Sequence, residues 1–211
     1  AILLSAGYRV ACHTSPHLIR FNERARINGQ EVTDDDLLEH FRIVEKARSS
    51  MACPVSLTYF EFTTLAILSL FSKSEVDVMI LEVGLGGRLD AINMIDADCA
   101  IITSIDLDHQ AYLGDTREKI AYEKAGIIKN KIPVVIGEKQ TEVLDVFLEK
   151  AKECQSEIYF ASNDVKNYPL DLLGDYQLAN SKTAVAAIQQ LRRITISEKN
   201  ILDGLLHVVK N

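Results

Sequence analysis

The stretch "VDVMILEVGLGGRLDAIN", residues 76–93, decides the fold. It begins as a continuous apolar run, the pattern of a strand buried on both faces of a parallel sheet rather than one alternating between core and water. Glycines at positions 84, 86 and 87 then interrupt it, and Glu82, Arg88 and Asp90 bring charge to the place where the run stops. In open α/β sheets ligands gather at the carboxyl ends of the parallel strands, so this junction is a candidate site as well as a turn.

Outward from it the same grammar repeats. Apolar runs recur at Arg9 to Thr14, Cys99 to Ile105, Ile132 to Gly137 and Ile158 to Ala161. Helical periodicity occupies Asp34 to Ser49, Thr58 to Ser72, Thr116 to Lys129 and Glu142 to Cys154. Thr58 with Glu61, and Asp115 with Glu118, have the spacing of N-terminal capping boxes. Strand and helix alternate, which predicts an α/β fold: a doubly wound, mainly parallel sheet flanked by helices.

Composition narrows the function. The 211 residues are 47% hydrophobic and 25% charged, ordinary for a folded domain. No apolar run approaches the roughly 20 residues of a membrane helix, and "AILLSAGYRV" lacks the basic flank of a signal peptide, so a cytoplasmic protein without a membrane partner is expected. A net charge of −7 argues against a nucleic-acid backbone binder. The four cysteines form no CxxC pair and read as reduced, buried structural thiols. "AILLSAG" reads as a helix end with Gly7 as its stop, and "EKNILDGLLHVVKN" stops with no later element to pack on. Both ends therefore read as incomplete.

The glycine stretch is neither a dinucleotide fingerprint nor a P-loop, since no sixth-place glycine follows and no glycine in the chain precedes a lysine. Its glycines either let backbone approach a ligand or simply make a tight turn. Glu82, in so apolar a strand, is expected to face a cation, with a salt bridge to Arg88 or Arg24 as the alternative. His109, in a loop with Asp106 and Asp108, and Lys124, in "YEKAGI", are further candidates.

"TSPHLIRFNERARING", "LTYFEFTTLA", "LEVGLGGRLDAIN", "TSIDLDHQAYLG" and "EKAGI" occur in this order along the chain. Together they resemble the folylpolyglutamate synthase / dihydrofolate synthase family, a branch of the Mur ligase superfamily, over nearly the whole chain. The resemblance implies that residues 1–211 are a central, P-loop-NTPase-like ATP-binding domain of a ligase. Such a ligase joins L-glutamate to a reduced folate or to dihydropteroate through an acyl phosphate.

On that resemblance Ser15 and Glu82 hold one Mg²⁺ and His109 a second, Lys124 is the lysine that becomes carbamylated, and Asn180 lies by the adenine of ATP. Thr58, Tyr59, Phe60 and Glu61, with Leu89, Asp90 and Ala91, line the pterin side. The implied cofactors are ATP and Mg²⁺ at two sites, with a monovalent cation left open, and the implied state is a monomer. The family's P-loop, of the form GTNGKGS, is expected just before Ala1, its C-terminal glutamate-ligase domain is absent, and 157–171 is shorter than the family's. These residues alone are therefore expected to be inactive. Another Mur-type amino-acid ligase and a non-catalytic metal- or pterin-binding module remain the alternatives.

Overall fold

The computed structural model describes residues 1–50, 52–106, 113–137, 141–161, 165–172 and 174–208. They form two units, one of residues 7–84 and one of residues 1–6 with 85–211.

In the unit of residues 7–84, β1 (Val10–His13) pairs in parallel with β4 (Val78–Leu81), placing His13 opposite Leu81. On its other side β1 runs antiparallel to β2 (Ala25–Ile27), which pairs with β3 (Gln30–Glu31), giving the order β3-β2-β1-β4. The β2–β3 hairpin departs from the expected strand–helix alternation. Its signal is "NG": Asn28 and Gly29 both adopt positive φ (52° and 80°), as a two-residue hairpin turn requires.

Helix α2 (Asp34–Ser49) starts at Thr33, whose side chain accepts from the Asp36 N–H while Asp36 accepts from the Thr33 N–H. Helix α3 (Tyr59–Lys73) starts in the same way at Thr58 with Glu61, as the capping spacing predicts. Ile67, Leu70 and Phe71 of α3 bury against Ala11 and Ala25 of the sheet and Leu37 of α2.

The other unit holds α1 (Ile2–Ser5) and three parallel strands, β5 (Ala100–Ile102), β6 (Val134–Ile136) and β7 (Ile158–Phe160), in the order β5-β6-β7. Its other helices are α4 (Arg117–Ala125), α5 (Thr141–Glu153), α6 (Asp175–Gln189) and α7 (Glu198–Leu206). Val134 and Ile136 of β6 pack with Ile120 of α4 and Phe147 of α5, whereas Val135 packs with Val185 of α6 and Ile201 of α7. Alternate side chains thus serve opposite faces, each covered by helices, and this is the doubly wound arrangement.

Three expectations are corrected. The apolar runs of β4 and β5 are not buried on both faces: Met79 is 41%, Ile80 45% and Ile101 42% exposed, and among the described residues β4 and β5 each have one strand neighbour whereas β6 has two. Helix α4 is capped by Thr116, which accepts from the Lys119 N–H, while Asp115 instead pairs with the Lys119 ammonium. Helix α7 packs back on an earlier element, α1, which does not bear on the expectation about a later one. Gly204 packs against Ile2, where an added Cβ would stand 2.4 Å from the Ile2 Cα, and Asn200 and Ser5 exchange side-chain-to-carbonyl bonds of 2.9 and 2.6 Å. Finally, Cys53 is exposed and the other three cysteines are only partly buried, though burial pushes the Cys12 thiol up and the Cys99 thiol up to about 11, which keeps both protonated and unreactive. Among the described residues no helix is long and apolar enough to cross a membrane.

Candidate active site at the strand ends

In the unit of residues 7–84 the site grows from the parallel pair β1–β4. The Glu82 N–H donates to His13 O at 3.0 Å, carrying the ladder one residue beyond the strand. Its carboxylate Oε2 then accepts from the Ser15 N–H at 2.7 Å. Among the described residues, neither Glu82 Oε1 nor the Ser15 hydroxyl has a protein hydrogen-bond partner.

Glu82 is exposed at the strand end, not buried within the strand, so burial cost is not what argues for a cation. The salt-bridge alternative fails too. Arg88 grips Glu123, with bonds of 3.0 and 3.2 Å, and Arg24 donates its Nε–H to His17 Nδ1 at 2.7 Å. A hydroxyl beside a carboxylate with an unused oxygen is a donor set that suits Mg²⁺, which takes one or two carboxylates and completes its shell with water and substrate phosphates.

The loop of residues 14–24 is fixed by an internal anion. Glu23 accepts from the backbone N–H groups of Leu18, Ile19 and Arg20 at 2.9, 2.8 and 2.6 Å. These donors, the Arg20 amide foremost, hold its carboxyl at about 2. The side chains of Leu18 and Ile19 meanwhile face water.

At the start of α3, Thr58 and Glu61 spend their side chains on the cap, leaving Tyr59, 63% exposed, as the open surface. Phe60 is committed to packing: an added Cβ on Gly84 would lie 2.6 Å from its ring, and its centroid is 6.5 Å from that of buried His13. His13 Nδ1 lies 2.7 Å from Arg24 O, and a carbonyl only accepts, so Nδ1 carries the proton.

In the other unit the glycine stretch is a close-packed turn. Gly87 abuts the end of α4, where an added Cβ would stand 2.9 Å from Glu123 O, and the Arg88 N–H donates to that same oxygen at 2.8 Å. Asp90 closes the turn by accepting from the N–H groups of Leu85 (3.0 Å) and Ile92 (2.9 Å). That leaves Leu89, 79% exposed, as its accessible apolar residue, with Ala91 half-buried behind it.

Lys124 sits in the last turn of α4, half-buried and with no ion pair among the described residues. Asn180 is exposed on α6. His109 lies outside the described residues, among which no group of three or more His, Cys, Asp or Glu side chains could hold a metal. A separate polar cavity of about 310 Å³, lined by Lys131, Pro133, Glu157 and Arg192 among others, opens at the amino ends of β6 and β7, away from the carboxyl ends where such folds bind substrates.

Ser15 with Glu82, and Thr58 to Glu61, thus share one unit, and Leu89 to Ala91 with Lys124 share the other. Sequence reasoning missed His17 and Arg24 as a pair. Their seven-residue spacing inside an irregular loop carries no periodic signal, and only the fold of the loop joins them.

Comparison with known proteins gives this geometry a context. Residues 47–167 match the Mur ligase middle domain. The chain is 43% identical to the dihydrofolate synthase/folylpolyglutamate synthase of Haemophilus influenzae over 98% of its own length and 49% of that protein's. It superposes on E. coli FolC in complex with DHPP and ADP with a TM-score of 0.89 and 38% identity, covering 99% of this chain and 52% of that one. A bifunctional folylpolyglutamate synthase/dihydrofolate synthase with Mn, AMPPNP and L-glutamate bound superposes with a TM-score of 0.87 at 38% identity, covering 100% of this chain and 53% of the other. The chain therefore spans about half the length of the relatives it matches.

Proposed function

Because this chain belongs to the Mur ligase family, whose middle domain it carries, we propose that it is the ATP-binding part of a ligase joining L-glutamate to dihydropteroate, to reduced folates, or to both. The names and bound ligands of its relatives support the substrate class. The observation that carries the reading is the Ser15–Glu82 contact at the carboxyl ends of two adjacent parallel strands, with a hydroxyl and a carboxylate oxygen that have no hydrogen-bond partner among the described residues.

The reaction begins when a carboxylate oxygen of the pterin-bearing substrate attacks the γ-phosphorus of ATP, so that ADP leaves and an acyl phosphate forms. The amine of L-glutamate then attacks the acyl carbon, and phosphate departs with one oxygen of the original carboxylate. Ser15 and Glu82 would hold one divalent cation and His109 a second. Bound there, Mg²⁺ screens the carboxylate from the triphosphate it must approach and stabilises charge on the transferring phosphoryl group.

Lys124 carries a carbamate. Reaction of its amine with CO₂ turns a group that repels metal into one that attracts it, and the absence of an ion pair to Lys124 among the described residues leaves the amine available. By the family resemblance Tyr59 and Phe60, and separately Leu89 to Ala91, are candidate contacts for the flat heterocycle, and Asn180 for the adenine.

Calorimetric titration of the full-length protein with dihydropteroate and with tetrahydrofolate, each in the presence of a non-hydrolysable ATP analogue and Mg²⁺, tests the reading. Binding of at least one is expected, and binding of neither overturns it.

A further inference from the structure

Arg24 is the most deeply buried cation of the site region, at 8% exposure, and among the described residues it has no ion-pair partner. Its Nε–H is spent on His17 Nδ1 at 2.7 Å, a neutral acceptor. Its guanidinium carbon lies 5.7 Å from the centroid of Phe21 and 6.0 Å from that of Tyr59. Among the described residues its two terminal amino groups have neither an ion pair nor a hydrogen-bond acceptor.

Among the described residues no carboxylate pairs with Arg24: Glu23 accepts from three backbone amides, Asp34 accepts from Asn22 with Arg20 at 3.9 Å, and Glu82 Oε2 accepts from the Ser15 amide. Taking a guanidinium out of water without an anion is costly, and two aromatic faces replace only part of the lost hydration. The bond to His17 adds a consequence. Because Nδ1 accepts, the imidazole proton is on Nε2, which makes a second N–H donor locked in place by the first residue.

The position of this pair ties it to the site. The Thr14 N–H donates to Arg24 O at 3.3 Å, so Arg24 lies across from the residue preceding Ser15, at the same end of β1. Tyr59, which walls the guanidinium, is also the most exposed aromatic ring at the start of α3.

We propose that Arg24 and His17 bind a carboxylate of the acceptor substrate. A planar fork matches a carboxylate through two parallel N–H bonds, and aromatic walls suit an aryl-linked acid better than a heavily hydrated triphosphate. This deepens the proposed ligase reading and rests on it.

The test uses the full-length protein with an ATP analogue and Mg²⁺. Wild type, Arg24→Met and Arg24→Lys are each titrated with dihydropteroate and with its primary carboxamide, which keeps the shape and removes the charge. The preference of wild type for the acid should shrink by about tenfold or more in Arg24→Met, the scale of a lost charged hydrogen bond, and partly in Arg24→Lys, which keeps the charge but not the fork. Binding of the ATP analogue should be unchanged in all three.

If both ligands weaken equally in the variants, Arg24 only packs the loop and the proposal falls. If Arg24→Met does not fold, Arg24→Lys carries the test, and an acid preference in it equal to that of wild type overturns the proposal. Failure of wild type to bind any pterin acid would instead overturn the ligase reading beneath it.

Discussion

The two connections that carry site residues, 14–24 and 85–93, are held by different physics. The first is held by carboxylates that accept from backbone amides: Glu23 from Leu18, Ile19 and Arg20, and Glu82 from Ser15. The second is held by contact, with Gly87 and Gly126 letting the turn and the end of α4 approach to a distance no side chain allows. The loop should therefore respond to charge and pH, and the turn to volume. The candidate cation donors, Ser15 and Glu82, belong to the polar connection, while the packed connection presents an exposed Leu89 on a turn closed by Asp90.

Breaking the charge side at Glu82 should have the largest effect. Glu82→Ala in the full-length protein is expected to lower kcat by about 10³-fold with little change in melting temperature, the scale of a lost electrostatic stabiliser. An unchanged rate would make the Ser15–Glu82 contact a loop anchor only.

On the packing side, Gly126→Ala places a Cβ 2.5 Å from the Arg88 Cα, so backbone must move; urea unfolding should show a loss of about 2 kcal/mol, within the range for overpacking. Equal stability would mean that the turn yields and is not contact-limited.

Thr58→Ala removes the side-chain acceptor that starts α3 and should cost about 1 kcal/mol in the same measurement. The smallest effect is pH-dependent. Because the Glu23 carboxyl is held at about 2 against an ordinary 4.5, its anchoring is complete above pH 4.5 and is lost as the pH falls towards 2. The difference in unfolding midpoint between wild type and Glu23→Gln should thus shrink on acidification from pH 7, whereas a packing defect would persist.

Much of this was legible in the sequence where the signal is local. The Thr58–Glu61 box follows from capping spacing and the start of α2 at Asp34 from helical periodicity, while the same spacing at Asp115 and Glu118 is one residue off the actual cap, Thr116. The apolar runs mark the strands but not how deeply each is buried. An apolar run does not reveal whether a strand has two strand neighbours among the described residues, like β6, or one, like β4.

The role of the glycines became plain only in space, since what they meet, Glu123 O and Arg88, is a matter of packing across some 35 to 40 positions. The same holds for Arg24. Its identity is visible in "FNERAR", but its burial, its aromatic walls and its bond to His17 come from the closure of the loop.

The most direct test of the ligase account follows oxygen. With dihydropteroate carrying ¹⁸O in its carboxylate, the full-length protein, ATP, Mg²⁺ and L-glutamate should yield the glutamyl amide together with inorganic phosphate bearing one ¹⁸O per turnover. An acyl phosphate requires that transfer. Amide formed with unlabelled phosphate would contradict it.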